Sequence, residues 1–232
     1  MGKKPVQGGR ASARRSVGRG KKRSKVFGLW LIIPMVIGVL YLFVATLYRV
    51  PSRAMEDTLY VGDYLLVDKL HYGPQLPFGL GSLPGLGKVE AGDLIVFQLP
   101  EDPDRVYIKR CIATSGQVVE IIDKVAFVDG LRVADPPYSK YVDARIRLGP
   151  NSTRDNLSPV EVPEGSLFLI GDNRDNSRDS RNWGTIPQRY VLGRGLAVMF
   201  SVRPKEGEPS RLESLLDFPL RVRWGRIGMW LQ

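Results

Sequence analysis

Between Val26 and Tyr48 the chain runs for 23 residues without a formal charge. So long an apolar stretch must be shielded from water, and few features restrict a fold more. As a single helix it rises about 34 Å, enough to cross a hydrocarbon core of about 30 Å. Trp30 near one end, and Tyr41 and Tyr48 toward the other, suit the two interfaces. Pro34 and Gly38 are tolerated in such a segment. A cleaved signal peptide has an apolar core of only about 7–15 residues, so the run is read as an uncleaved transmembrane helix. Residues 1–25 hold ten Lys or Arg and no acid, leaving 24 of the 34 basic residues to balance 24 acids elsewhere. Beside an apolar run this excess reads as a topology signal rather than a nucleic-acid arm, and no nucleic-acid partner is expected. The expected layout is a basic cytoplasmic tail at 1–25, a transmembrane helix at 26–48 and an extracytoplasmic domain at 49–232. The lipid bilayer is then a partner.

After residue 49 the signals become short strands. Tyr64–Val67, Leu94–Phe97, Val106–Ile112, Val118–Ile122, Ser166–Ile170 and Val191–Val202 are apolar runs separated by turn-forming residues. Asp129-Gly130, inside Val125–Val133, is the strongest hairpin signal, because both residues tolerate the positive φ of a tight turn. Residues 134–160, rich in Asp, Arg, Pro and Asn, read as a surface excursion. The expected fold class is mainly β, with coiled or barrel-like antiparallel sheets and a small accessory β subdomain, preceded by one transmembrane helix. Near the end, Trp224 and Trp230 with Arg223 and Arg226 suit either lipid headgroups or ordinary packing.

Two segments carry chemistry on their own residues. In Tyr107-Ile108-Lys109-Arg110, strand alternation puts Tyr107 and Lys109 on one face and Ile108 and Arg110 on the other. One cation must then face inward, and a desolvated lysine becomes neutral enough to act as a base. A solvated Lys-Arg edge pair is the plainer reading of the same four residues. The loop Gly171–Gly184 has Asp, Asn or Arg at nine of fourteen positions. It suits an ion-pair network, an enzymatic site or a cation site. Its three Arg and the absence of the EF-hand spacing oppose a metal. His71 is the one histidine and Cys111 the one cysteine, too few for a zinc site. No metal and no cofactor is expected.

Arg49–Asp63, RVPSRAMEDTLYVGD, follows the apolar run. Together with Tyr107–Arg110, Gly171–Gly184 and Gly193-Arg194, in that order, it resembles the type I signal peptidases, bacterial membrane-bound serine endopeptidases that remove signal peptides. The resemblance implies a Ser-Lys dyad in which Lys109 is the general base and Ser177 orients its amine. It implies that Ser52 donates to the oxyanion hole and that Tyr107, Asp179 and Arg181 support the base. Met55 and Ile108 are groove or core contributors. The family's nucleophilic serine falls on Ala54, which has no side-chain oxygen. Ser52 is no substitute, since residues two apart in a strand are separated by about 6.5 Å.

The implied partners are signal peptides of secretory preproteins with small residues before the cut, typically Ala-x-Ala. The implied location is a bacterial cell membrane, single-pass, with the catalytic domain periplasmic or extracellular. Ala54 fits a deliberate serine replacement or a naturally inactive relative, and the alternative function is a non-catalytic peptide-binding scaffold. Arg53, Glu56-Asp57 and the turn Ala113–Gln117 depart from the family pattern and bear on the shape of the groove.

Overall fold

The computed structural model describes Gly2 and residues 23–76, 80–147, 153–204 and 217–231. Most of the basic tail 1–25 lies outside the described residues. Two compact units are present, Met1–Gly38 and Val39–Gln232.

Helix α1 (Arg23–Val39) is 17 residues long and stops far short of Tyr48. Leu40–Val44 make a π-helical turn, and Ala45–Arg49 form strand β1. This strand pairs with β2 (Asp63–Asp68), Ala45 opposite Asp68 and Arg49 opposite Tyr64. The expected transmembrane helix over 26–48 is therefore corrected. Seventeen residues rise only about 25 Å, and no helix among the described residues is long and apolar enough to cross a membrane. The cause lies in the second half of the run. Thr46, Leu47 and Tyr48 pack well on a pleated surface, and β2 supplies the backbone partners that an isolated stretch would lack. The single-pass description drawn from that helix falls with it.

The remaining strands are β3 (Leu94–Leu99), β4 (Asp102–Thr114), β5 (Val118–Ile122), β6 (Val125–Val128), β7 (Leu131–Arg132), β8 (Leu157–Glu161), β9 (Ser166–Ile170), β10 (Ile186–Pro187), β11 (Val191–Ser201) and β12 (Met229–Trp230). The main antiparallel sheet runs β1-β2-β11-β3-β4-β9-β10, with β12 beside β11. Bulges in β11 and β4 bend it. Its two ends do not meet, so the barrel-like closure expected from the sequence is also corrected to an open sheet. At one edge β10 has two residues, and one of them, Pro187, has no N–H to offer a further strand.

The smaller sheet is β7-β6-β5-β8. Asp129 and Gly130 take φ of 51° and 77° at its hairpin, the left-handed pair that such a turn requires. β8 begins within the stretch 134–160 that reads from sequence as a surface excursion and ends just past it.

Alternate residues of β3 and β4 enter different cores. Val96 and Ile108 pack with Val50, Met55, Leu59 and Leu65. Ile95, Phe97 and Cys111 pack with Leu167 and Leu169. β4 is thus covered on both faces, and Lys109 and Arg110 are both buried, at 3% and 4% exposure. Alternation alone required only one of them to be inside.

Candidate active site

Three pieces of chain converge where β9 ends. The first is a 3-10 turn, Arg53–Met55, entered from Ser52 in extended conformation (φ −137°, ψ 165°). The strand geometry expected around Ala54 is thus replaced by a turn. The second is the middle of β4. The third is the polar loop, which contains a 3-10 turn at Arg174–Asn176 and helix α2 (Ser180–Trp183).

The turn is fastened to the loop by its backbone. Asn173 donates its N–H to the Ala54 carbonyl at 3.1 Å, and its side-chain amide donates to the Arg53 carbonyl at 3.1 Å. Gly171 sits between them. A Cβ there would overlap both the Ser177 hydroxyl and the Ala54 carbonyl oxygen, so the approach is available only to glycine. Gly171→Ala should therefore force the turn and the loop apart. A loss of about 1–3 kcal/mol, typical of overpacking, should appear as a lower urea midpoint at unchanged m-value.

Lys109 donates its Nζ to Ser177 Oγ at 2.6 Å. Burial pushes the amine down from 10.5 to about 8; Asp179 and Asp172 pull it up and Arg181 pushes it further down. Asp179 caps α2 and holds Arg181 through both carboxylate oxygens at 2.8 Å, while Gly171 N–H donates to it at 3.0 Å. Burial alone would raise the Asp179 carboxyl, but the hydrogen bond and charge of Arg181 override it and hold it below the usual range, with help from Lys109 and Ser177. Ser177 thus touches the amine on one side and the carboxylate on the other. Asp179 stays anionic and its ion pair with Arg181 is closed, so the lysine is left without a dedicated counter-charge.

A groove of about 430 Å³ opens beside this cluster, lined by Tyr48, Pro51, Ser52, Val106, Ile108 and Lys109 among others. Ser52 and Lys109 therefore face one space, and Ile108 lies in its wall. Met55, the other groove candidate, is 1% exposed in the core and accepts the Asp172 N–H on its sulfur at 3.4 Å. Ala54 is 8% exposed. Tyr107 also lines the groove, stacking on Phe97 and meeting Trp183 edge-on. Its hydroxyl donates to Asp102 at 2.9 Å, away from Lys109, and burial with that bond raises its pKa.

Sequence reasoning passed over Asp172. It is fully buried, accepts from Arg110 at 2.9 and 2.8 Å, and accepts from Thr58 Oγ1 at 2.6 Å. Only its place in the Gly-Asp-Asn motif could have marked it. The loop is fixed on its far side too. Asp175 accepts from the N–H groups of Val142 and Asp143, both at 2.8 Å, and pairs with Lys124 at 2.9 Å. Val142 and Asp143 come from the polar stretch after β7, and Lys124 from the turn between β5 and β6. Among the described residues no cluster of three or more His, Cys, Asp or Glu has the placement to hold a metal ion.

A family model described as "Signal peptidase, peptidase S26" matches residues 23–200. The chain belongs to the signal peptidase family. It is 32% identical to signal peptidase I of Pseudomonas fluorescens over 194 residues, covering 72% of this chain and 68% of that protein. It is 35% identical to probable signal peptidase I-1 of Synechocystis sp. over 206 residues, covering 85% and 84%. Against signal peptidase I of Aquifex aeolicus the identity is 29% over 266 aligned positions, covering 89% and 97%. At the family level the chain is a signal peptidase I-type serine protease, and signal peptides of exported proteins are the family's substrates.

Proposed function

We propose that this signal peptidase relative binds the Ala-x-Ala end of a signal peptide in the groove beside Lys109, and that Ala54 stops it from cutting. The observation that carries this reading is the buried Lys109 amine, 2.6 Å from Ser177 Oγ, opening onto the same groove as Ser52. An amine so placed has one use that repays its burial, to accept a proton at ordinary pH.

With serine at position 54, its Oγ would attack the scissile carbonyl carbon while its proton passes to the neutral Lys109 amine. The Ser52 hydroxyl and the N–H of residue 54 would hold the oxyanion. The intermediate would collapse by breaking the C–N bond, with the lysine ammonium giving its proton to the leaving amine. Water, deprotonated by the same lysine, would then release the acyl group. Ser177 orients the amine, and Asp179 with Arg181 holds Ser177's loop in place. In the chain as it stands the first bond has no oxygen to form it. The lipid bilayer enters the same reading as a surface partner, supported by the exposed Trp224 and Trp230 close to Arg223 and Arg226.

The test pairs this chain with its Ala54→Ser variant on a preprotein whose signal peptide ends in Ala-x-Ala, free and on lipid vesicles. Only the serine form should cut, and faster on vesicles. Equal cutting by both forms would overturn the nucleophile assignment. A serine form that binds peptide without cutting would favour the scaffold reading, and equal rates free and on vesicles would remove the bilayer.

A further inference from the structure

The turn that carries Ala54 has a second hollow on its other flank, which the mechanism above does not use. This pocket, of about 350 Å³, is walled by Arg53, Tyr60, Val61, Arg203 and Arg223, with Glu56 at its side. Three arginines and one glutamate thus line it. The carboxylate is already engaged, since Glu56 Oε2 lies 3.4 Å from Lys140 Nζ and 3.3 Å from Asn173 Nδ2. Arg223 is likewise occupied. It pairs with the buried Asp63 at 3.4 Å, donates to the Val61 carbonyl, and lies over the Tyr60 ring. Arg53 and Arg203 are exposed, and among the described residues neither guanidinium has an ion-pair partner. Among the described residues the pocket is left with two uncommitted positive charges.

Its place gives the charge a meaning. Ser52 lines the groove beside Lys109, and Arg53 lines this pocket. The two are consecutive, about 3.8 Å apart at Cα. A polypeptide whose scissile bond lies over residue 54, with its signal-peptide side in the first groove, can leave past the flank that Arg53 lines. Extended chain advances about 3.3 Å per residue, so the pocket lies within reach of the first few residues after the cut.

We propose that this pocket binds an acidic side chain just after the cleavage point, with Arg53 and Arg203 selecting carboxylate over neutral or basic residues. The inference deepens the signal-peptide reading and rests on it. It assigns a specificity role to Arg53.

The uncleaving chain allows a direct equilibrium test. Fluorescent peptides carrying Ala-Gln-Ala followed by four residues, containing two Glu or two Gln, are titrated with the full chain and followed by anisotropy. The Glu peptide should bind about tenfold more tightly at low salt, as expected for two partly exposed ion pairs. The ratio should shrink as salt shortens the screening length. It should fall to about one in Arg53→Gln, Arg203→Gln. Near-ultraviolet circular dichroism of that variant checks its fold, and single variants replace it if the spectrum changes.

Equal affinities for the two peptides, or a preference that survives both substitutions, would overturn the proposal. So would binding to phosphatidylglycerol vesicles that needs both Arg without any peptide preference; that result would make the pocket a headgroup site. A Gln peptide that binds without a Glu advantage would end only this inference, whereas no binding by either peptide would end the groove reading as well.

Discussion

Lys109→Met in the Ala54→Ser chain should lower cleavage about ten-thousand-fold, the upper range for removing a positioned base, and yet make the protein more stable. Both effects come from one group. With its pKa moved from 10.5 to about 8, the neutral amine at pH 7 rises from ~0.03% to ~9% of the population. Cleavage should therefore climb with pH and reach half its plateau near 8. The same displacement costs the fold about 3 kcal/mol at neutral pH, less whatever the Ser177 hydrogen bond returns. Methionine fills a similar volume with no charge, so a net gain of about 1–3 kcal/mol is expected.

The sign is checked by pH. Here a lysine's folded pKa is depressed, so between about 8 and 10.5 the unfolded chain binds more protons than the folded one. The parent's stability then rises with pH through that window, and the advantage of Lys109→Met in urea titrations should shrink toward pH 10. A variant that loses activity and stability together, with no such narrowing, would show that Lys109 is a structural cation.

The sequence made the strands legible wherever local preference and tertiary role agree. Val118–Ile122, Ser166–Ile170 and the Asp129-Gly130 turn are such places. It misled where a residue property is shared by two outcomes. Thr46–Tyr48 is uncharged and so counts toward a membrane span, but β-branched and aromatic side chains pair equally well in a sheet, and hydropathy cannot see β2. β8 was hidden because Ser158, Pro159 and Glu161 on an outer strand dilute the apolar pattern.

Burial of both Lys109 and Arg110 was illegible for a related reason, since alternation describes one covered face and β4 has two. The closeness of Lys109 and Ser177, 68 positions apart, could be anticipated only through a family motif. No spacing rule connects them.

The neighbouring cation should behave in the opposite way. Arg110→Met should destabilise the protein by about 3–5 kcal/mol, because it strands the Asp172 carboxylate in the interior. Asp172 is 0% exposed, and Arg110 grips both of its oxygens. Among the described residues, Thr58 Oγ1 would remain as its side-chain hydrogen-bond partner. Against a typical stability of about 5–15 kcal/mol this is a large fraction, equivalent to a melting temperature lower by about 6–20 °C.

Removing the charge as well, in Arg110→Met, Asp172→Leu, should recover much of the loss, since a buried pair is worth far less than either half is costly. Activity would not return with it. The Asp172 carboxylate holds Thr58, its N–H reaches Met55, and the next residue holds the Ala54 carbonyl. In the serine form the single variant should therefore lose turnover with the pH midpoint still near 8, because the base is intact and the attacking residue has shifted. A moved midpoint would mean that Arg110 acts on the Lys109 proton as well as on the turn, through the Asp172 charge that already pulls that amine up.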